Sequence, residues 1–287
     1  MIKLCAFADE AASSLEEQIS ALKRNGISYL ELRSIHGKNV KDFSLEEAWE
    51  YAKQLEDNRI SVWSIGSPLG KVDISVDMQI YQQTVRHLCC LANIFKTKRI
   101  RIFSFFQAYE QREKVMSYLQ EMVDIATEYG VELYHENEKE VYGDTLARVK
   151  DIMANVRGLK YIYDPANYVQ CRQNIHETLQ ALFDKTNYFH IKDVISATDE
   201  LVPAGYGDGE IVQIIERIST DKVLTLEPHL AVFEAYATID NVEMKHKFHF
   251  RDNNEAFDFA VNALKKVLAY CGYQEVEEGF VKYFPCK

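Results

Sequence analysis

Short apolar segments alternate with longer amphipathic segments along most of the chain. The segments between the short ones carry apolar residues at helical spacing, such as Leu15, Ile19 and Leu22. The short segments are rich in β-branched and aromatic residues and are predicted to be strands: residues 1–8, 27–33, 60–66, 99–104, 131–137, 159–164, 187–193 and 223–228. The pattern therefore predicts a strand–helix unit that repeats along the chain.

Polar residues indicate where the helices between these strands begin. Ser13 with Glu16, and Ser44 with Glu47, have the spacing of a capping box. The other helices are expected over residues 77–95, 110–129, 174–183 and 255–269, and over two segments capped by Asp144 and Asp208. Residues 231–253 have no clear periodicity, and the chain ends in a tail that contains Phe284 and Pro285.

Eight strand–helix units predict an α/β protein with a single (β/α)8 TIM barrel. Strict alternation implies parallel strands joined by right-handed crossovers. The chain has 287 residues, and such barrels commonly run to about 250 residues as one domain. We therefore expect one domain over residues 1–287, with a C-terminal helix and tail from about residue 254. An open doubly wound sheet is the alternative, but the segment A-D-E-A-A follows the first strand where that fold usually has a glycine-rich turn.

The composition of the chain restricts which partners it can bind and which cellular compartment it is expected to occupy. The net charge of −11 argues against a nucleic-acid partner, which requires a basic surface. The six cysteines lack C-x-x-C spacing and are expected to be free thiols in the cytosol. Lys3 and Asp9 interrupt the N-terminal apolar run, so no signal peptide is expected. No apolar run approaches the ~20 residues needed to cross a bilayer. We expect a cytoplasmic protein without a membrane partner.

Side chains that bind cations stand at the ends of four consecutive predicted strands, the fifth to the eighth. They are Glu136, Asp164, His190 and Glu227. A single carboxylate at a strand end is more often a helix cap or an ion-pair partner, and a lone histidine is more often a core residue. Together, however, these ends should meet at one mouth of the barrel, where active sites of this fold lie. Three acids meeting there would raise one another's pKa values, and a divalent metal removes that cost.

The ligand types restrict the metal. Carboxylate oxygens with one imidazole favour Mn²⁺, with Mg²⁺, Co²⁺, Fe²⁺ or Zn²⁺ as alternatives. A structural zinc site is not expected, because no cysteine joins the set.

The segments that end these strands resemble the sugar phosphate isomerase/epimerase family of the xylose isomerase-like barrels. They read E-N-E, D-P-A-N, H-I-K-D and L-E-P-H, and L-E-L-R and I-R-I-F-S on the second and fourth strands also fit. The resemblance implies that Glu136, Asp164, His190 and Glu227 are the metal ligands. It also implies that Glu136 and Glu227 are the catalytic acid–base pair. The implied function is a divalent-metal-dependent isomerase or epimerase acting on a sugar, sugar phosphate or keto-sugar by α-proton abstraction and a metal-stabilised enediolate.

One departure from that family leaves other reactions open. Ketose 3-epimerases of this superfamily usually carry histidine three positions after the aspartate of the sixth strand, where this chain has Asn167. Asparagine can donate a hydrogen bond but cannot titrate. A lyase or dehydratase that carries out β-elimination on an inosose or a 3-keto-glycoside is therefore the alternative. An endonuclease IV-like phosphodiesterase is disfavoured by the charge and the count of 8 histidines, and a non-catalytic sugar-binding barrel by the glutamate pair.

Lys192, Asn167 and His229 are predicted to bind the carbohydrate substrate. Alternation places Lys192 on the same side as His190, where it would bind a phosphate, a carboxylate or a substrate oxygen, or else form a salt bridge to Glu136, Asp193 or Glu227. His229, like His135, is expected to point away from the neighbouring glutamate.

Several other residues carry weaker expectations. Glu138 is a rival to Glu136 as a ligand, and residues 205–209 form either a phosphate cradle or a turn that begins a helix. Glu31 and Arg33 are expected to form an ion pair inside the barrel. Aromatic residues that wall a sugar site or, more often, belong to the core are Trp63, Phe103 and Phe105. The segment 231–253 and the tail either pack on a neighbouring subunit, giving a homo-oligomer, or close over the barrel rim.

Overall fold

Eight short parallel strands form a closed ring in the computed structural model, which describes residues 1–231 and 248–283. The strands are β1 Ile2–Ala6, β2 Tyr29–Leu32, β3 Ser61–Ile65, β4 Arg99–Ile102, β5 Glu132–Glu136, β6 Lys160–Tyr163, β7 Tyr188–Ile191 and β8 Lys222–Leu226. Each strand pairs in parallel with the next, and β1 pairs with β8 from Ile2↔Lys222 to Ala6↔Leu226. This closure confirms the predicted (β/α)8 TIM barrel.

Helices follow the strands and bury one face against the ring. The described helices are α1 Leu15–Arg24, α2 Leu45–Asp57, α3 Met78–Ile94, α4 Arg112–Glu128, α5 Leu146–Asn155, α6 Pro165–Gln170, α7 Ile175–Leu182, α8 Ile211–Arg217 and α9 Asn253–Tyr270. Most predicted helices are confirmed within a few residues. The short helix α6 was not predicted, because its six residues do not complete two turns of apolar periodicity.

Of the two predicted capping boxes, one is confirmed and one is wrong. The Ser44 side chain accepts from the backbone N–H of Glu47, and the Glu47 carboxylate accepts from the backbone of Ser44. In α1 the cap is Ser14, which accepts from Glu17 N at 3.3 Å, and not Ser13. Both serines precede a glutamate by three positions, so the spacing alone does not distinguish them.

The two predicted aspartate caps are also wrong. Thr145 caps α5 by accepting from Arg148 N, while the Asp144 carboxylate binds the Arg148 side chain at 2.8 Å. Asp208 lies before α8 but accepts from the backbone N–H of Ser196 at 2.7 Å. In both cases the carboxylate has a tertiary partner that local sequence does not reveal.

A separate buried cluster forms the floor beneath the mouth of the barrel. It contains Cys5, Tyr134, Ile162, Tyr188 and Val223. In three of the strands, the next inward-facing position is a residue with a cation-binding side chain, because alternate residues share one face of a strand. Those pairs are Tyr134 with Glu136, Ile162 with Asp164, and Tyr188 with His190. The apolar floor therefore keeps water from approaching the polar layer from below.

A C-terminal hairpin was missed by the sequence pattern. Its strands are β9 Tyr273–Val276 and β10 Gly279–Lys282, and β10 pairs antiparallel with β1 at Ile2↔Phe280. The hairpin is rich in charged residues, which hides its strand character. Residues 232–247 and the tail from residue 284 lie outside the described residues, as does most of the predicted irregular segment. No described helix is long and apolar enough to span a membrane.

Candidate metal centre

The four predicted ligands meet at the C-terminal mouth of the barrel. Glu136, Asp164, His190 and Glu227 are all buried, and one ligand atom from each lies within 4.8 Å of the others. An octahedral ion with bonds of about 2.1 Å places opposite ligands about 4.2 Å apart. The cluster therefore has the dimensions needed to hold one divalent ion.

The imidazole of His190 has one nitrogen facing this cluster. Nδ1 lies 3.0 Å from Glu136 Oε1 and 3.3 Å from Glu227 Oε2, while Nε2 lies 3.1 Å from Glu31 Oε2. Burial lowers the pKa of His190, but the adjacent Glu136 and Glu31 raise it well above its ordinary value. Glu31 was expected to pair with Arg33. Its observed partners include His190 and the hydroxyl of Tyr188, at 3.1 Å.

Three carboxylate oxygens test whether a cation fits these residues. Glu136 Oε2, Asp164 Oδ2 and Glu227 Oε2 are buried and accept no well-directed hydrogen bond from a described residue. Each lies near a cationic side chain instead: Arg101 Nη1 is 3.4 Å from Glu136 Oε2, Lys192 Nζ 3.0 Å from Asp164 Oδ2 and His190 Nδ1 3.3 Å from Glu227 Oε2. Three converging carboxylates with open lone pairs fit a divalent cation, so the donor set fits a metal.

Lys192 lies inside the cluster, next to two acids whose pKa values are shifted in opposite directions. Its Nζ is 3.0 Å from Asp164 Oδ2 and 4.0 Å from Glu227 Oε2. Burial raises the pKa of Asp164 to about 7, with Lys192 opposing this and Glu136 adding to it. For Glu227, Lys192 and His190 outweigh burial and hold the pKa well below its usual range. The predicted contact of Lys192 with Glu227 is present, and Asp164 is its closer partner.

The backbone around Asp164 is held by two asparagine side chains. Asn137 Nδ2 donates to Asp164 O at 2.8 Å, and Asn137 Oδ1 accepts from Asp164 N at 3.0 Å and from Tyr161 Oη at 2.9 Å. Asn167 N donates to Asp164 Oδ1, so Asp164 also caps α6, and Asn167 Nδ2 donates to Asn137 O. Asn167 Oδ1 is buried and has no hydrogen-bond partner among the described residues.

Acids that follow β1 join the cluster through Arg33. This guanidinium donates to Asp9 Oδ1 and Oδ2 at 2.8 Å, to Glu227 Oε1 at 2.9 Å and to Glu10 Oε1 at 3.2 Å. Burial raises the pKa of Glu10 to about 8, against the opposing effect of Arg33. Sequence reasoning missed Asp9 and Glu10. The available signal was two adjacent acids directly after a barrel strand.

His229 points toward the mouth, contrary to the expected orientation. Its Nε2 lies 3.5 Å from Glu227 Oε1 and 3.4 Å from Glu10 Oε1. Strand β8 ends at Leu226, and His229 has a φ of 46°, so strand alternation no longer determines its direction. Glu10, Glu227 and His229 form a second group whose ligand atoms lie within 4.8 Å of one another.

Two other predicted candidates lie outside the first cluster. The Glu138 carboxylate binds Lys71 at 2.8 Å; burial opposes ionisation, but Lys71 and Lys192 lower the pKa of Glu138 to about 2. His135 stacks on the ring of Tyr161, and burial lowers its pKa to about 3. His135 therefore packs away from the mouth, as expected.

Arg101 is a further residue that sequence reasoning missed. Its Nη1 lies 3.4 Å from Glu136 Oε2 and 3.5 Å from Glu227 Oε1, and its guanidinium sits over the rings of Phe7 and Phe103. A charged residue between two isoleucines of a barrel strand was the available signal. Phe103 thus lies near the mouth, whereas Trp63 packs on the apolar floor and Phe105 packs against Tyr118.

The glycine-rich loop after β7 surrounds a carboxylate. Strand β7 ends at Ile191, and Asp193 begins a short hairpin with residues 200–202. The Asp193 carboxylate accepts hydrogen bonds from the backbone N–H groups of Gly205, Gly207 and Gly209 at 2.9–3.0 Å. The N–H groups that were candidates for a phosphate cradle are therefore bonded to Asp193.

A parallel eight-stranded barrel with buried acids and a histidine at its C-terminal mouth defines the class of protein. The chain belongs to the xylose isomerase-like TIM barrel family, whose pattern matches residues 19–271. This match confirms the resemblance indicated by the strand-end motifs. None of the curated proteins is significantly similar in sequence to this chain.

Solved structures share the fold at low sequence identity. The probable 3-DHS dehydratase AsbF from Bacillus anthracis is 17% identical with a TM-score of 0.71, covering 92% of this chain and 99% of that one. D-allulose 3-epimerase from Methylomonas sp. is 13% identical with a TM-score of 0.72, covering 93% and 98%. The IolI protein with a bound zinc atom is 18% identical with a TM-score of 0.70, covering 93% and 98%. At these identities the likeness establishes the fold.

Proposed function

We propose that this protein is a divalent-metal-dependent isomerase or epimerase that removes a proton next to the carbonyl group of a sugar or keto-sugar. One observation carries the proposal. Two buried glutamates reach the same cluster: Glu136 at the end of β5 and Glu227 just after β8. Strands β6 and β7 lie between these two strands in the ring. Such a pair can remove a proton on one side of a substrate carbon and return it on the other.

The residues that would hold the ion are Glu136, Asp164, His190 and Glu227, and their oxygen-rich set favours Mn²⁺. When bound, the ion supplies positive charge beside the carbonyl oxygen and makes the adjacent C–H bond more acidic. Despite burial, Lys192 and His190 hold the pKa of Glu227 well below its usual range, so its carboxylate is in the ionised form that a proton acceptor requires. General base catalysis of this kind contributes about 10²- to 10⁴-fold.

Three residues around the cluster are proposed to bind the carbohydrate. Lys192 is buried and has a pKa well above its ordinary value, because Asp164 and Glu227 outweigh its desolvation; it can donate to a substrate oxygen. Asn167 Oδ1 can accept from a hydroxyl, since it has no hydrogen-bond partner among the described residues. His229 borders Glu227 on the β1 side and can contact the same substrate. Each of these assignments rests on position within the mouth.

A lyase or dehydratase reaction is the second candidate. Asn167 cannot exchange a proton, whereas Lys192, held in its charged form beside Asp164, can hydrogen-bond to a departing hydroxyl or glycosidic oxygen while the glutamate passes on the proton it has removed. Proton removal by a glutamate followed by loss of that oxygen is β-elimination, which an inosose or a 3-keto-glycoside can undergo.

Deuterium exchange tests the proposal. The protein is loaded with Mn²⁺ and incubated in D₂O with ketoses, aldoses, inososes and 3-keto-glycosides, and NMR follows deuterium at the carbon next to the carbonyl. We expect exchange that is lost in Glu136→Gln and in Glu227→Gln. Glu132→Gln is the matched control, because Glu132 lies at the opposite end of β5 and is exposed.

The products separate the two candidates. Epimers and isomers keep the mass of the substrate apart from deuterium, whereas elimination removes water or an alcohol, and mass spectrometry detects that loss. If tight sugar binding occurs without exchange for any compound, the barrel is a binding protein and the proposed catalytic role is wrong.

A further inference from the structure

The end of the barrel interior opposite the mouth holds three cationic side chains that the proposed function does not use. Alternate residues of a strand share one face, so a residue two positions before an inward-facing residue also points inward. Three such pairs, with the cation named first, are Lys3 with Cys5, Arg99 with Arg101, and Lys160 with Ile162. The three cations are half-buried and form an N-terminal cation cluster in a chain whose net charge is −11.

Aromatic side chains connect two of these cations between β1 and β4. Lys3 Nζ donates to Tyr29 Oη at 3.0 Å. The rings of Tyr29 and Trp63 meet edge to face with their centroids 6.0 Å apart, and the Arg99 guanidinium lies 3.7 Å from the centroid of the Trp63 ring. Lys3 and Arg99 therefore border the same aromatic surface.

Lys160 reaches the cluster from the other side, next to one acid. Its Nζ lies 3.5 Å from Glu132 Oε1, and the other carboxylate oxygen of Glu132 accepts from Tyr134 Oη at 2.9 Å. Glu132 is also the ladder partner of Arg99 on the adjacent strand, yet no ion pair joins the two side chains among the described residues. Because Glu132 is exposed, its pairing with Lys160 is weak.

Lys3 and Arg99 have no carboxylate partner in the described part of the chain. The hydrogen bond to Tyr29 raises the pKa of Lys3, and the charges of Glu278 and Asp221 add to this from a distance. Asp221 is itself bonded to the amino group of Met1 at 2.8 Å. Like charges gathered in one cluster repel one another, and a bound anion would remove that cost.

The same cluster contains an unused N–H donor. Trp63 Nε1 is buried and has no hydrogen-bond partner among the residues that the structure describes. The Trp63 ring packs edge to face on Tyr29 and, at 5.9 Å, on Tyr188, so the indole lies inside the barrel. Buried N–H groups ordinarily have an acceptor. The cluster therefore offers positive charge and a donor without enough acceptors of its own.

We propose that the N-terminal cation cluster is a binding site for an oxyanion with two negative charges, and that a phosphate group is the best match. Lys3 and Lys160 supply ammonium charges, and Arg99, stacked on Trp63, presents its guanidinium donors in a fixed plane, which suits phosphate oxygens. The apolar floor of the barrel separates this site from the proposed metal centre. The bound anion stabilises this end of the barrel and takes no part in the proposed reaction.

Tryptophan fluorescence of the metal-free full chain tests whether an anion binds here. The chain contains two tryptophans, and Trp49, which is 60% exposed on α2, is replaced by phenylalanine so that Trp63 alone reports. Inorganic phosphate is compared with sodium chloride at equal ionic strength. We expect a saturable change in Trp63 fluorescence at millimolar phosphate, because the anion binds the guanidinium stacked on that ring. A response equal to that of chloride would overturn the inference.

Isothermal titration identifies the source of the phosphate group. Free phosphate is compared with sugar phosphates and nucleoside monophosphates. Tighter binding of an ester assigns the site to a phosphate ester, equal or weaker binding assigns it to free phosphate, and both outcomes support the proposal. Saturable binding of citrate without binding of any phosphate compound would overturn the assignment to phosphate.

Variants that remove one charge assign the binding to the cluster. Arg99→Gln and Lys160→Gln should each weaken phosphate binding by on the order of 10-fold, since each removes a hydrogen bond to a charged group. Lys98→Gln is the matched control, because Lys98 is exposed and directly precedes Arg99; it should change the Kd by less than about twofold. Equal weakening in all three variants would show that the general charge of this end of the barrel, and not the cluster, attracts the anion.

Glu132→Gln should have the opposite effect. It removes the acid beside Lys160 and should tighten phosphate binding, whereas a merely structural disturbance of this end of the barrel would weaken it. Unchanged or weaker binding in folded Glu132→Gln would contradict the proposal. If Arg99→Gln does not fold, Lys160→Gln and Glu132→Gln decide the question, since both of these side chains reach solvent.

Discussion

The imidazole of His190 connects Glu31 on β2 to the acidic cluster on the opposite side of the barrel mouth. Its Nε2 lies 3.1 Å from Glu31 Oε2, and its Nδ1 lies 3.0 Å from Glu136 Oε1. A carboxylate behind a histidine ligand fixes the ring orientation and keeps the proton on the outer nitrogen. Glu31 therefore orients Nδ1 toward the site where a metal would bind.

Replacing Glu31 with glutamine should weaken metal binding without removing a ligand. The neutral amide is a poorer acceptor for the imidazole N–H, so His190 would lose part of its orientation and basicity. We expect the Kd for Mn²⁺ to rise about 10- to 100-fold, measured by isothermal titration of metal-free protein. Tyr188→Phe is the control, because it removes only the hydroxyl that donates to Glu31, and it should have a smaller effect. Unchanged Mn²⁺ affinity in Glu31→Gln would contradict the orienting role.

Removing divalent ions should lower the thermal stability of the protein. An ion that binds only the folded state at one hundred times its Kd adds about 2.7 kcal/mol. For a chain of this size, that corresponds to a Tm difference of about 4 to 5 °C. Differential scanning calorimetry in Mn²⁺ and in EDTA measures it. The difference should disappear in Asp164→Asn and persist in Glu132→Gln, and an EDTA-insensitive wild type would argue against a metal at this cluster.

Asp164 and Glu10 should make the metal-free protein lose stability as pH rises from about 5 to about 8. The lowered pKa values of His135 and His229 act in the opposite direction up to about pH 6.5, so the loss is expected mainly above that pH. Burial raises the pKa of Asp164 from 3.8 to about 7 and that of Glu10 from 4.5 to about 8. In this range the folded protein still holds these protons after the unfolded chain has released them, so a rise in pH favours unfolding. The sign is opposite to that of a carboxylate stabilised by an ion pair.

Mn²⁺ should reverse this trend, because a ligand must be deprotonated to bind a metal. The Tm difference between Mn²⁺ and EDTA is therefore expected to widen as pH rises through the pKa of Asp164, about 7, and to keep widening above it, because His190 must also lose a proton and its pKa is raised well above its ordinary value. Calorimetry over a pH series in both conditions measures the widening. In Glu10→Gln the EDTA series should be flatter above neutral pH. A metal-induced Tm shift that is independent of pH would be inconsistent with protonation of Asp164 in the metal-free state.

Local patterns were sufficient to predict the barrel and the central cluster, because both follow from short-range rules. Each strand is a short run with polar boundaries, and parallel strands of a barrel direct their C-terminal ends to one face. Residues such as Asp164 and Glu227, which stand directly at those ends, meet there whatever the details of closure. The prediction therefore needed only the order of the strands.

The partners around the cluster were not predictable in the same way, because they depend on how the ring closes. Glu31 and Arg33 were expected to pair, but residues two apart on a strand lie about 6.8 Å apart along it and reach different layers. Glu31 meets His190, which lies 159 positions later, and Arg33 meets Glu227 at the upper layer. Asp193 was assigned to a strand because its partners lie 12 to 16 positions away in a glycine-rich loop.

The Asn137 side chain connects the ends of β5 and β6 with the two hydrogen bonds that a backbone peptide group of a neighbouring strand would make. Its amide donates to Asp164 O and accepts from Asp164 N, and the same oxygen accepts from Tyr161 Oη. Glu136 is the residue directly before Asn137, whose bonds to the Asp164 backbone form a clamp. The two predicted metal ligands are therefore held in place by a single side chain.

Truncation to Asn137→Ala should destabilise the fold and the metal site together. The change leaves the backbone N–H and C=O of Asp164 without their partner, and each buried unsatisfied group costs about 1–3 kcal/mol. The Tyr161 hydroxyl loses one hydrogen bond and keeps the one to Tyr168 Oη at 2.8 Å. Urea unfolding in EDTA should therefore show a loss of several kcal/mol in the free energy of unfolding. The extra stability gained with Mn²⁺ should also shrink, since Asp164 is no longer fixed beside Glu136.

Asn93→Ala is the control, because this exposed amide donates only to Tyr129 O, and its effect should stay within about 0.5 kcal/mol. If Asn137→Ala matches that control in both measurements, the clamp contributes nothing, and the positions of Glu136 and Asp164 are set by the strand ladder alone.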